Sequence, residues 1–360
     1  MFTLTKRLYQ LLALAALWVS LSACGGESLK VGLSFPDLEN ERWRKEEARL
    51  AVLLEEKGYE VLRQQANGDA RLQADQVDNL VKEGVRAIII VPVDGDALAG
   101  AVERAIAADV RVIAYDRLVK TPKLSAYLSF DNREAGRLQA QALLDALDIA
   151  NRSGTARLVR LTGGPADPNN SLYRLGQDEA LAPFITSRRV RLLADETITS
   201  REQVSAQRLL ENTLKEQENR LDGVIVSGEL LTLGTLEALK NAGLERDVLV
   251  AGQEASVVIS NQIAGGAMAF AVFRDTRDLP PLTVRVLDRL LKEQPLLDLE
   301  RCTLADLTGD AALDGTIFCA LLPVKLLTPE NLFDLVIVSG YQSYDDVYRE
   351  IPDSLRPARP

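Results

Sequence analysis

Two α/β lobes, each a doubly wound parallel sheet covered by helices, are what this sequence predicts, and three observations carry the prediction. Short apolar runs alternate with amphipathic helical stretches along nearly the whole chain. The runs are almost continuously apolar, as in residues 87–91 (AIIIV), the pattern of strands buried on both faces of a parallel sheet. The alternation also starts afresh after residue 131, in a chain of 360 residues that is too long for one core and comfortable for two.

In the first series, residues 30–35 (KVGLSF) read as a strand and residues 42–57 as a charged helix with Leu50, Leu53 and Leu54 at its apolar positions. Residues 59–64 and 69–83 are the next strand and helix, 87–91 and 96–108 the third pair, and 110–115 another strand. Residues 126–130 form a short strand that ends in Asp131-Asn132 and leads into a helix reaching Leu147. The second series places strands at 156–161, 190–194, 223–226 and 248–251, each followed by a helical stretch. The tail adds a strand at 268–273, a helix at 282–292, and residues 320–324 ahead of Thr328-Pro329-Glu330-Asn331, where Pro stands at the first position of a helix. These late pieces are too few for a third domain. They complete the first two if the chain crosses between the lobes more than once.

The amino terminus carries a different signal. Lys6 and Arg7 precede an apolar run from Leu11 to Leu21, too short to span a bilayer comfortably and ending in small residues, which reads as a signal peptide over residues 1–23. Leu21-Ser22-Ala23-Cys24 has the form of a lipoprotein processing box, so Cys24 is expected to become the lipidated first residue, followed by a short linker through residue 27. The chain after it should then lie outside the cytoplasmic membrane, in the periplasm or at the cell surface, held to the lipid bilayer. Residues 1–23 contain two basic residues and no acid, so the remainder moves from a net charge of −10 to −12. Such acidity argues against nucleic acid as a partner.

Histidine is absent, which excludes Ser/His/Asp triads, Cys/His dyads and HExxH zinc sites. Cys302 and Cys319, without CxxC spacing, argue against a thiolate metal centre; they could form a disulfide in an oxidising compartment or remain two buried thiols. Gly163-Gly164 and Gly265-Gly266 fit tight strand-to-helix turns and match no phosphate-binding loop, and no cofactor is expected.

In doubly wound sheets, functional groups gather beyond the carboxyl ends of the strands. There the chain places Arg42 and Trp43 after the first strand, Asp116-Arg117 after the strand at 110–115, and Asp131-Asn132 after the next. Carboxylates and amides engage neighbouring hydroxyls, an arginine fork bridges two oxygens, and an indole face covers the C–H side of a sugar ring. Glu41, Arg44 and Lys45 read instead as the solvated first turn of a helix, and Trp43 fits either a ligand platform or a core anchor.

Several stretches together resemble the periplasmic D-xylose-binding proteins of ABC sugar-transport systems, within the group of ribose- and galactose-type binding proteins. They include Glu41-Arg42-Trp43 with Lys45, Gln65-Ala66-Asn67-Gly68, Ile90-Val91-Pro92, Ala114-Tyr115-Asp116-Arg117 and Ser129-Phe130-Asp131-Asn132. Later ones are Gly163-Gly164 with Asn169-Asn170, Ser227 with Gly234, Gly252-Gln253 and Leu326-Leu327-Thr328-Pro329. The resemblance implies a type I periplasmic binding protein with three crossovers, an N-terminal lobe of residues 28–131 and 273–322, and a C-terminal lobe of residues 132–272 and 323–360. It implies a monomeric, non-catalytic receptor that closes on a monosaccharide and presents it to an ABC permease or, alternatively, to a membrane sensor. By position, the ligand contacts it implies are Arg42, Trp43, Asp116 and Arg117 on the first lobe, with Asp167 and Asn170 on the second. The rest of the second wall departs from the family: Ser227-Gly228-Glu229 stands for Ser-Asn-Asp, Gly252-Gln253-Glu254 for Gly-Gln-Asp, Arg274 for a lysine and Arg201 for a tryptophan. Glu229, Glu254 and Arg274 are accordingly expected to line the cleft with altered reach, so that the preference among xylose and related aldoses differs from the family's.

Overall fold

The computed structural model describes residues 28–38, 41–200 and 202–359. The signal segment, Trp18, Cys24 and Arg201 therefore lie outside the described residues. The first series forms β1 (Lys30–Phe35), α1 (Glu41–Glu56), β2 (Glu60–Gln65), α2 (Ala70–Lys82), β3 (Ala87–Ile90), α3 (Ala99–Ala107), β4 (Arg111–Tyr115) and β5 (Ala126–Phe130). The second comprises α4 (Asn132–Ala146), β6 (Ala156–Gly163), α5 (Pro168–Thr186), β7 (Val190–Ile198), α6 (Glu202–Glu216), β8 (Gly223–Ser227), α7 (Glu229–Asn241), β9 (Leu249–Gln253), α8 (Val257–Ala264) and β10 (Phe270–Phe273). The tail supplies α9 (Leu279–Leu291), β11 (Glu300–Thr303), α10 (Leu304–Thr308), β12 (Thr316–Leu322), β13 (Lys325–Leu327), a π-helical segment (Phe333–Val338) and α11 (Tyr344–Tyr348). Among the described residues no helix is long and apolar enough to cross a membrane.

These strands make two sheets, ordered β11-β12-β5-β4-β3-β1-β2 and β13-β10-β9-β8-β6-β7. The chain passes from one sheet to the other after β5, after β10 and after β12. The first and third passages lie side by side, since the Asp131 amide donates to the Leu322 carbonyl at 2.9 Å. The first sheet is covered on both faces: Leu33, Ile89 and Leu128 pack under α1 and α9, while Ile88, Ile90 and Val112 pack under α2 and α3. Complete burial of such strands is the physical reason for their unbroken apolar runs.

The expected wholly parallel sheets are in fact mixed. β11 pairs antiparallel with β12, and β13 antiparallel with β10. Strand β11 has the sequence ERCT and is largely exposed, so no apolar run announces it. An edge strand needs only one backbone partner and little side-chain burial. Of the two alternatives for the cysteines, the structure has the disulfide: Cys302 and Cys319 join β11 to β12 with Cα atoms 5.9 Å apart.

Two glycines bring α4 and α5 into backbone contact. A Cβ on Gly136 would run into the Tyr173 carbonyl, and one on Gly176 into the Arg133 carbonyl. Both partners are main chain and cannot swing aside. Gly136→Ala is therefore expected to lower stability by about 2 kcal/mol or more, the usual result of overpacking, read as a lower urea midpoint at unchanged slope.

Candidate functional site

The same backbone device ends β4 and β9. Asp116 follows β4 with φ 60°, and Glu254 follows β9 with φ 74°. In each case the residue's amide donates to the neighbouring strand, Asp116 to Leu128 at 2.8 Å and Glu254 to Val272 at 3.0 Å. A left-handed turn costs a non-glycine residue about 1 kcal/mol. Here it turns a carboxylate out of each sheet at its carboxyl end, one from each lobe.

Between these two carboxylates lies Arg42, from the first turn of α1. Its Nη2 pairs with Asp116, its Nε with Glu46 at 2.5 Å, and its Nη1 stands 3.9 Å from Glu254 of the other lobe. Asp116 is further held through its carbonyl, which accepts from Tyr127 and Ser129 at 3.0 and 2.7 Å. Asn169 reaches across from α5 and donates to Asp116 Oδ1 at 3.1 Å, while Asn132, at the start of α4, donates to Asn169 Oδ1 at 2.8 Å. Burial alone would push the Asp116 carboxyl up, but the guanidiniums of Arg42, Arg274 and Arg117 outweigh it and hold the group below the usual range.

The opposite wall is organised by Arg274. Its guanidinium pairs with Glu254, donates to the Tyr173 hydroxyl, and reaches Asn132 Oδ1 at 3.3 Å. Burial, partly opposed by Arg274, pushes the Tyr173 hydroxyl up to about 12, so it stays protonated. Glu254 and Arg274 thus form one unit rather than two separate departures from the family pattern.

The remaining residues named from sequence fall in different places. Trp43 is buried in the first-lobe core, its ring edge-to-face with Phe35 at 6.1 Å, and the guanidiniums of Arg42 and Arg117 stand 4.5 and 5.8 Å from its centroid. Arg117 faces Asp167 across the cleft, Nε to Oδ2 at 2.8 Å, with Glu202 nearby and pushed up by burial. Asn170 turns its amide onto the Gly164 carbonyl at 2.8 Å, and its neighbour Asn169 is the one that meets Asp116. Glu229 is the first residue of α7, half-buried, and its carboxylate has no hydrogen-bond or ion-pair partner among the described residues. Gly228 before it has φ 131°, a conformation that only glycine adopts freely.

Sequence reasoning placed Asn132 at a strand end without giving it a role, and passed over Glu46, Asn169 and Tyr173 as site residues. Helical spacing would have flagged two of them: Glu46 follows Arg42 by four, and Tyr173 follows Asn169 by four, each pair on one face. Among the described residues no group of three or more Cys, Asp and Glu side chains is arranged to hold a metal ion.

Two doubly wound lobes with a crossover hinge, and strand-end carboxylates and guanidiniums facing each other between them, define a two-lobed solute-binding protein. The chain belongs to the periplasmic binding protein domain family, whose model matches residues 31–295, and it is a binding protein rather than an enzyme. It is similar to the D-xylose-binding periplasmic protein of Escherichia coli K12, 29% identical over 330 residues, covering 90% of this chain and 94% of that one. It is also similar to a multiple sugar-binding periplasmic receptor of Rhizobium radiobacter, 26% identical over 363 residues and 95% and 99% of the two chains. Among solved structures, a carbohydrate transporter solute-binding protein of Chloroflexus aurantiacus in complex with D-glucose superposes with TM-score 0.74 at 25% identity, covering 89% and 98%. An ABC transporter solute-binding protein of Clostridium phytofermentans shares the fold at TM-score 0.77 and 24% identity, covering 88% and 99%.

Proposed function

We propose that this protein captures a neutral monosaccharide, a pentose or related aldose, between its lobes, delivers it to an ABC importer, and is anchored outside the cytoplasmic membrane by lipid on Cys24. The observation that carries the reading is the cleft itself: the guanidiniums of Arg42, Arg117 and Arg274 face the carboxylates of Asp116, Asp167 and Glu254. Such a set is rich in donors and acceptors yet close to charge balance, which suits hydroxyls and leaves nothing to neutralise a charged ligand. The names of the relatives agree: D-xylose, several sugars, and D-glucose in the superposed Chloroflexus complex. Thermal shift against D-xylose, L-arabinose, D-ribose, D-glucose and D-galactose tests it, because a ligand bound only by the native state raises its melting temperature. No shift with any aldose would reject the reading. Since the R. radiobacter relative is named a receptor, presentation to a membrane sensor is the second reading, and a sensor-kinase gene beside this one would favour it.

The second wall should set the sugar preference. Glu254 is one methylene longer than the family's Asp, and Arg274 replaces a compact ammonium with a planar fork, so the joined pair offers different donors at a different depth. Glu254→Asp combined with Arg274→Lys is expected to shift relative affinity toward D-xylose by about tenfold, on the order of one hydrogen bond to a charged group, as measured by calorimetry. Asn at position 228 is not part of this variant, because the φ of 131° there would strain it. If the double variant keeps the wild-type order of sugars, the wall does not choose among them.

Anchoring has its own test. Cys24→Ala is expected to abolish acyl labelling and release the protein from membranes; labelling that persists in the variant would remove the lipoprotein assignment.

A further inference from the structure

One helical turn beyond Arg42 sits an acid that none of the proposed ligand contacts requires. Glu46 is 3% exposed; its Oε1 accepts Arg42 Nε at 2.5 Å and its Oε2 accepts the hydroxyl of Tyr115. Tyr115 is fully buried and immediately precedes Asp116. Arg42 is therefore gripped along two edges, by Glu46 on Nε and by Asp116 on Nη2, with the Trp43 ring 4.5 Å from its central carbon. A guanidinium is a rigid planar fork, so fixing two of its nitrogens fixes the direction of the third. That third nitrogen, Nη1, is the one that faces Glu254 of the second lobe.

We infer that Glu46 is a positioning residue for ligand capture: it touches no sugar, but by gripping Arg42 it sets the direction in which the first lobe offers its guanidinium to ligand and to the closing second lobe, and protonation of Glu46 loosens that grip. The inference rests on Arg42 being a ligand contact. A carboxylate at this position accepts from both Arg42 and Tyr115 as an anion, and charge-assisted bonds to an arginine are stronger than neutral ones. An amide can accept from Arg42 and donate to the Tyr115 hydroxyl, but it carries no charge, so it cannot reproduce the charge-assisted bond to the guanidinium.

The charged and titratable groups that face Glu46 are Arg42 on its own helix, Tyr115 and Asp116 at the end of β4, and Tyr341 in the C-terminal segment, whose hydroxyl feels both Arg42 and Glu46. Burial, with the Asp116 charge added, pushes the Glu46 carboxyl up against the pull of Arg42, whereas Asp116 is held down. On acidification Glu46 therefore takes up a proton while Asp116 stays ionised. Affinity should be constant above the raised Glu46 value and fall as the pH drops through it, and ligand binding at that pH should release a proton.

Calorimetric titrations from about pH 8 to about pH 5 test this, since an ordinary carboxyl does not titrate over most of that range. The probe is D-xylose or D-glucose, whichever binds the wild type more tightly. Glu46→Gln is expected to weaken binding about tenfold at the upper pH and to flatten the profile, with Glu46→Asp restoring part of both. Tyr115→Phe removes a bond that favours the ionised acid, so its profile should move to higher pH. A purely structural Glu46 would lower the melting temperature of the Gln variant while leaving affinity and its pH dependence as in the wild type, and that result overturns the inference. Should Glu46→Gln fail to fold, a flat wild-type profile, or one that Tyr115→Phe leaves in place, overturns it equally. Arg42→Lys separates the two levels of the argument. Wild-type affinity in that variant rejects Arg42 as a contact, whereas its loss alongside an unaffected Glu46→Gln rejects only the role given to Glu46.

Discussion

Arg274→Met is expected to weaken sugar binding more than a hundredfold. Arg274 is 5% exposed and its guanidinium joins Glu254, Tyr173 and Asn132, so its removal leaves the Glu254 carboxylate, among the described residues, with only Arg42, 3.9 Å away across the cleft. Removing one partner of a buried ion pair costs about 3–5 kcal/mol, because the other charge stays behind without compensation. Part of that loss should appear as stability and part as affinity. Pairing the change with Glu254→Gln separates them: the double variant should recover most of the melting temperature, since no orphaned charge remains, and little of the binding. Calorimetry and thermal melts on both variants provide the measurement. Binding by Arg274→Met within fivefold of wild type would remove Arg274 from the ligand-binding set.

Trp43→Ala should be costly for a different reason. Its ring packs with Phe35, Leu50 and Tyr115 in the core under α1 while two guanidiniums stand close to it. Truncating a buried aromatic of this size costs about 3–5 kcal/mol. Affinity should also fall, because Arg42 would lose the surface beside it. Urea denaturation and calorimetry together decide the matter. A stability change under about 1 kcal/mol with binding abolished would make the ring a ligand platform alone, since core truncations of this kind cost several times that. Ligand should also alter the indole emission through Arg42 and Arg117, and no other tryptophan lies beyond residue 43.

The sequence and the structure agree most closely where a single local rule decides. The strands at 87–91 and 223–226 were legible because burial on both faces favours apolar side chains. Strand β11 was not, since an exposed edge imposes no such rule and its position depends on Cys302 and the partner strand β12. At the cleft, Arg42 and Asp116 stood out as charged groups at strand ends, where the parallel sheet delivers side chains to solvent or ligand. Asn169 and Asn170 are adjacent and alike in sequence, and nothing in the sequence says which one meets Asp116.

By itself the sequence determined the two doubly wound lobes, the absence of any histidine chemistry, and the strand ends at which charged groups gather, because each follows from residue type, count and period alone. Only the tertiary structure decided which charges meet. It alone shows that Glu254 and Arg274 form one unit, that Arg117 faces Asp167 across the cleft, that Glu46 grips Arg42, and that Trp43 is sunk in a core. The reason is range: alternation and apolar runs are set by neighbours a few residues apart, whereas an ion pair between residues far apart in the chain depends on how two lobes are turned toward each other, and no local pattern records that.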